Sequence, residues 1–199
     1  MTASRFPLLN PAPRAERADD PLAETTVGEE TLFDGRFMHL VREEIRLPDG
    51  APGKRLFLTH PGAAAIVALY EDGSILLERQ WRHPMKRSFW EIPAGKLDPN
   101  ESELACAQRE LKEECGVAAQ RWSTLGTLHN AIGYSNEHIA VFLAEGLTEG
   151  AQELDEGEWL EVVRVPLEEA LAMARDGRIT DVKTIVALFW TESKLRGLR

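Results

Sequence analysis

The chain has 199 residues, 43% of them hydrophobic and 28% charged, enough for one sizeable globular domain with a small appendage. It carries 33 acidic against 23 basic residues, a formal net charge of −10, which argues against a non-specific grip on nucleic acid or an anionic membrane. Two cysteines do not make a disulfide scaffold, and the most apolar stretch, GAAAIVALY at 62–70, is far too short to span a bilayer.

The opening MTASRFPLLN has no apolar run of signal-peptide length, so a cytoplasmic location is expected. Residues 1–28, including NPAPRAERADDPLAE, hold no sustained hydrophobic period and read as a flexible or loosely docked tail. From Glu29 the pattern changes. TLFDGRFMHLVREEIRL, the turn PDGAPG and KRLFLTH predict a small β portion over 29–58, ahead of a main domain over 59–199.

GAAAIVALY, the turn EDGS and ILLERQWR predict a second hairpin, its first strand apolar enough to be buried on both faces. SFWEIP is a short strand running into Ala94-Gly95. A helix is expected from about Glu101 to Cys115, with Asn100 as its cap and Gly116 after its end. QRWSTLGTLHNA, EHIAVFLAEGL and WLEVVRV predict further strands. Pro166 opens a helix to about Arg175, and a last helix over 181–195 carries Val182, Ile185, Val186, Phe189 and Trp190 as a core stripe. This order predicts an α/β fold: a mixed sheet with helices on both faces.

The chemistry concentrates in GKLDPNESELACAQRELKEECGV, Gly95 to Val117. Glu110, Glu113 and Glu114 stand at i, i+3 and i+4 and share one helical face, with Glu103 seven residues earlier on the same side. Like charges about 6 Å apart oppose each other by roughly 3 kcal/mol at an effective dielectric near 20. Taken alone, such a run is also the pattern of a solvated acidic face. Enclosed in a cleft, it requires protonation or a hard divalent cation such as Mg²⁺ or Mn²⁺. Cys106 and Cys115, nine residues apart on the same helix, fall on opposite faces and are read as unpaired small fillers.

The full segment has Gly95, five residues, Glu101, seven residues, Arg109-Glu110-Leu111, one residue, Glu113-Glu114, one residue, then Gly116-Val117. It resembles the Nudix box, G-x5-E-x7-R-E-U-x-E-E-x-G-U with U a bulky aliphatic residue, at every defined position. Outside the box, HPGAAAIVAL, LLERQWRHP, WEIPAGKLDPNE, GYSNE, LDEGEWLEVVRVPLEEAL and GRITDVKTIVALFW resemble the ADP-ribose pyrophosphatase branch of that family.

The resemblance implies a Nudix-type α/β/α sandwich whose small N-terminal β portion serves in dimerisation, hence a homodimer. It implies metal-dependent hydrolysis of ADP-ribose to AMP and ribose 5-phosphate with Mg²⁺ or Mn²⁺. Other Nudix substrates, such as GDP-mannose, NADH or a dinucleoside polyphosphate, are the alternatives, followed by a non-catalytic nucleotide sensor. Carried over by position, the metal ligands would be Glu110, Glu114 and the carbonyl of Ala94, with Glu113 a further ligand or electrostatic partner. Arg109 would orient the carboxylates. Arg82 would grip diphosphate or terminal ribose, and Arg55 would reach the nucleotide from the N-terminal strands. The general base would be Glu156 or Glu158 in LDEGEW, with Glu137 in GYSNE a third carboxylate near metal or water. The sequence departs from the branch at Ile132, where a proline is common before the loop glycine Gly133. The five histidines are scattered without metal-ligand spacing and are given structural or surface roles, with His83-Pro84 near the substrate mouth. Trp81 and Trp90 are read as core or dimer packing, and no glycine-rich phosphate cradle is present.

Overall fold

The computed structural model describes residues 20–154 and 157–198. Three strands, β1 (Thr25–Asp34), β2 (His39–Arg46) and β3 (Pro52–Thr59), form an antiparallel meander of their own. β1 starts at Thr25, inside the stretch expected to be tail, and residues 35–38 separate β1 from β2, with the Gly35 amide on the Met38 carbonyl at 3.1 Å. Few side chains of this meander are buried, notably Val41 and Ile45, whereas Val27, Leu32, Phe33 and Leu56 are exposed.

The main sheet contains β4 (Ala63–Leu69), β5 (Ser74–Arg82), β6 (Arg87–Glu91), β7 (Ala94–Lys96), β8 (Val117–Leu128), β9 (Ile139–Glu149) and β10 (Leu160–Pro166). Its main path runs β10-β5-β4-β9-β8, with β6 beside β5 and β7 beside β4. β4 and β9 are parallel and every other pair is antiparallel, so the sheet is mixed.

The all-apolar run of β4 explains the layers. Ala63, Ala65 and Val67 face one core with Leu171 and Leu188, which come from α2 (Leu167–Asp176) and α3 (Val182–Leu195). Ala64, Ile66 and Ala68 face the other with Cys106, Ala107 and Leu111 of α1 (Glu103–Cys115). Each fully buried Leu or Ile contributes roughly 1.5–3 kcal/mol, and a period-two strand can serve two cores only when both its faces are apolar. The result is the α/β/α sandwich expected from the order of elements. Among the described residues, no helix is long and apolar enough to cross a membrane.

The start of α1 differs from expectation. Ser102, not Asn100, is the N-cap, its Oγ accepting from the Ala105 amide at 3.2 Å. Asn100 stands in the left-handed region at φ 64° and makes the turn before the helix. Gly116, at φ 65°, ends α1 with its amide on the Lys112 carbonyl.

Candidate active site

β7 lays Ala94 and Gly95 against the acidic face of α1. The Glu114 carboxylate accepts from the Ala94 amide at 2.9 Å and is only 3% exposed. Arg109 ties the rest together. Its Nε and Nη2 fork onto Glu101, each at 2.9 Å, while Nη1 donates to Glu110 at 2.8 Å and Glu113 at 3.0 Å. Nη2 also donates to the Lys96 carbonyl, which joins the α1 face to β7. Charge-assisted hydrogen bonds from Arg109 hold the Glu101 carboxyl down at about 2.

The neighbouring carboxyls shift the other way. Burial, followed by the charges of Glu78, Glu110 and Glu158, pushes Glu114 up to about 10. Burial likewise raises Glu78 to about 7 and lifts Glu110 above the ordinary carboxylate range. Glu78, Glu110 and Glu114 are therefore enclosed where they cannot all ionise without a compensating cation. Glu78, on β5, accepts from the Cys115 thiol at 3.2 Å, and the fully buried Cys106 thiol donates to the Gly95 and Lys96 carbonyls at 3.5 and 3.4 Å, so neither is only an apolar filler. Both thiols are free.

Beside this wall lies a cavity of about 580 Å³, a typical size for a small-molecule site. Arg82, Ala94, Gly95, Lys96 and Glu137 line it, together with Phe37 from the N-terminal portion. Glu137 accepts from Asn130 Nδ2 at 3.0 Å and lies 3.9 Å from His60 Nε2. Phe37 and Lys96 also line an adjoining groove of about 920 Å³ that contains Arg109, Glu110 and Glu113.

The structure thus brings Ala94, Arg109, Glu110, Glu113 and Glu114 together, with Arg82 and Glu137 on the adjacent cavity wall. Glu158 lies within hydrogen-bond reach of Gln80, at 3.5 Å, and close enough to the wall for its charge to raise Glu78, Glu110 and Glu114. Glu156 lies outside the described residues. Arg55 is elsewhere in this chain. It pairs with Glu24 in a cleft of about 810 Å³ that it shares with Ile132, Tyr134 and His129. Trp81 is 55% exposed, while Trp90 packs against the core.

Several residues at the site were not singled out from sequence. His60, grouped with the structural histidines, lines the cavity and makes an edge-on contact with Phe37. Glu91, Asp181 and Lys183 also line it. Lys183 sits between Val182 and Ile185 in a run read as core packing, and period alone cannot show that one member of such a stripe meets a buried carboxylate.

Among the described residues, no three histidine, cysteine or acidic side chains already stand as a closed metal cage. The donor set is nonetheless one of hard oxygens. Glu110 and Glu114 face each other's charge from adjacent helical turns, and the Ala94 backbone lies beside them. That chemistry suits Mg²⁺ or Mn²⁺.

Comparison with known proteins finds relatives over most of the chain. The family model for the NUDIX domain matches residues 59–187, and that for the nucleoside diphosphate sugar hydrolase N-terminal domain matches residues 24–55. ADP-ribose pyrophosphatase of Bacillus subtilis (strain 168) is 38% identical over 175 residues, 87% of this chain and 95% of that protein. ADP-ribose pyrophosphatase of Mycobacterium tuberculosis is 42% identical over 125 residues, 62% of this chain and 60% of that protein. A crystal structure of an ADP compounds hydrolase superposes with a TM-score of 0.73 at 25% identity, covering 87% of this chain and 95% of that one.

Proposed function

The chain belongs to the Nudix family of hydrolases, and from that premise we propose that it hydrolyses the diphosphate bond of ADP-ribose to AMP and ribose 5-phosphate. The observation that carries this reading is the enclosed carboxylate wall of α1 beside a cavity that presents Arg82.

Glu110, Glu114 and the Ala94 carbonyl would hold Mg²⁺ or Mn²⁺, with Glu113 as a further ligand or electrostatic partner. A cation bound there supplies charge neutralisation at the diphosphate and acidifies a coordinated water. The chain's own residues do the rest. Arg109 keeps Glu110 and Glu113 oriented. Arg82 holds a phosphate or ribose oxygen. Glu158 or Glu156 takes a proton from the attacking water as its oxygen bonds to phosphorus and the bridging P–O bond breaks. Glu137 positions water or substrate from the cavity wall it shares with Arg82.

The N-terminal strands would pair two chains into a homodimer and carry Arg55 to the partner's nucleotide. A reducing cytoplasmic setting accords with the free thiols Cys106 and Cys115. A second reading, another nucleotide sugar such as GDP-mannose, is favoured by Ile132, which replaces the expected proline and is 84% exposed beside Arg55. Turnover of a nucleotide-sugar panel with Mg²⁺ and Mn²⁺, with products weighed in ¹⁸O water, tests both. AMP and ribose 5-phosphate as the preferred products support the first reading; preference for a guanosine sugar supports the second.

A further inference from the structure

Glu91, at the end of β6, is 3% exposed and makes a two-pronged pair with Arg82. Its two oxygens accept from Arg82 Nε and Nη2, each at 2.7 Å. In the β5–β6 register Glu91 stands opposite Glu78, so Arg82, four residues further along β5, lies back along the hairpin to reach it. Arg82 Nη1 carries no hydrogen bond among the described residues, and Arg82 lines the cavity. The fork thus uses the inner edge of the guanidinium and presents the outer edge to a ligand.

Glu91 is itself clamped. The Lys183 ammonium, 8% exposed, donates to the same Glu91 oxygen as Nη2 does, and to Asp181 at 3.0 Å. Asp181 caps α3 by accepting from the Thr184 amide at 3.0 Å and the Thr184 hydroxyl at 2.6 Å. The same hydroxyl accepts from the Ile92 amide at 2.9 Å. Two cations and two carboxylates balance, and the start of α3 is joined to the residue after Glu91. With both oxygens engaged by cations, Glu91 is neither a free base nor a free metal ligand.

We propose that Glu91 is a positioning residue that aims Arg82 into the substrate cavity, and that Lys183 of α3 locks it in place. This rests on the reading that Arg82 grips the substrate. An arginine at a strand end otherwise samples many rotamers, and a fork onto a fixed carboxylate removes most of that freedom before substrate arrives. The effect of Glu91 therefore falls on binding and passes through Arg82.

Steady-state hydrolysis by the full chain with Mg²⁺, using ADP-ribose or the best substrate of the panel, tests this in Glu91→Gln, Glu91→Asp, Arg82→Lys and the Glu91→Gln/Arg82→Lys double variant. Asp keeps the charge balance but withdraws the carboxylate by one methylene, so it preserves the test if Gln does not fold. The expected result is a KM raised about tenfold in each single variant with kcat within about threefold, and a double variant no worse than Arg82→Lys alone. A parental KM in a folded Glu91 variant, or Gln and Lys effects that multiply in the double variant, would overturn the proposal. An unchanged KM in Arg82→Lys would overturn the Arg82 assignment and this proposal with it, while leaving the hydrolytic reading intact. No turnover by the parent chain would overturn all three.

Discussion

Gly95 and Glu110 meet with no room between them: a Cβ built on Gly95 would lie 1.7 Å from Glu110 Oε1. The first glycine of the motif is therefore a matter of space, because the β7 backbone must pass against a carboxylate of α1. What gives way on substitution is the far end of a side chain, not the backbone. Gly95→Ala is expected to fold, with a melting temperature within a few degrees of the parent's. Pushed off its Arg109 contact, Glu110 would hold Mn²⁺ at least about tenfold more weakly, which titration calorimetry reads directly.

Glu114→Gln separates chemistry from stability. Burial and the charges of Glu78 and Glu110 keep the Glu114 carboxyl at about 10, so near neutral pH it is protonated and resembles an amide in charge and shape. The Gln variant without metal is expected to melt within about 2 °C of the parent. Saturating Mn²⁺ should raise the melting point of the parent and not of the variant, and turnover should fall by a factor on the order of 10² or more. A large loss of stability without metal would show that Glu114 is held as an anion.

The pH dependence has a definite sign. Glu78 at about 7 and Glu114 at about 10 lie above the ordinary carboxylate value of 4.5, so above pH 4.5 the folded chain binds more protons than the unfolded chain. Stability without metal therefore decreases, through these two groups, as pH rises from about 5 toward 8. A divalent cation needs the ionised ligands, so binding must expel protons. Calorimetric titration of Mn²⁺ at pH 6 in two buffers of different ionisation heat should report release of about one proton or more. Equal heats in the two buffers would contradict the protonated wall.

The cap of α1 gives a control away from the chemistry. Ser102→Ala removes the hydroxyl that accepts from the Ala105 amide and should cost about 1 kcal/mol, seen as a melting point lowered by a few degrees with kcat/KM unchanged. Asn100→Gly should not destabilise, because Asn100 sits at φ 64°, where glycine is at ease. The reverse pattern would restore Asn100 as the cap.

This small correction shows how much of the molecule the sequence carries. The layers are legible because β4 is apolar at every position and α1 and α3 repeat at helical spacing. The acidic wall is legible because its residues lie within one helix, where spacing fixes a common face. Contacts between distant segments are not legible: Glu91 with Lys183 spans 92 residues, and Cys115 with Glu78 spans 37. No local pattern distinguishes such a lysine from a surface one. The expectation of Asn100 as the cap failed for a related reason, since Asn100 and Ser102 are both good caps by type and only the turn decides which one faces the helix.

The position of Arg55 leads to the last prediction. In one chain it pairs with Glu24 in a cleft separate from the one Arg82 lines, walled also by the loop that carries Ile132. In the proposed dimer it serves the nucleotide site of the second copy. Light scattering should give twice 22.3 kDa, and a clean monomer would reject the dimer. Arg55→Ala should then raise KM about tenfold, and Glu114→Gln should be nearly inactive. Refolded together, the two variants form mixed dimers in which one site has Glu114 from one chain and Arg55 from the other. Such mixtures should regain a component with the parental KM. If mixing yields only the sum of the separate variants, Arg55 does not act across the dimer, whatever the oligomeric state.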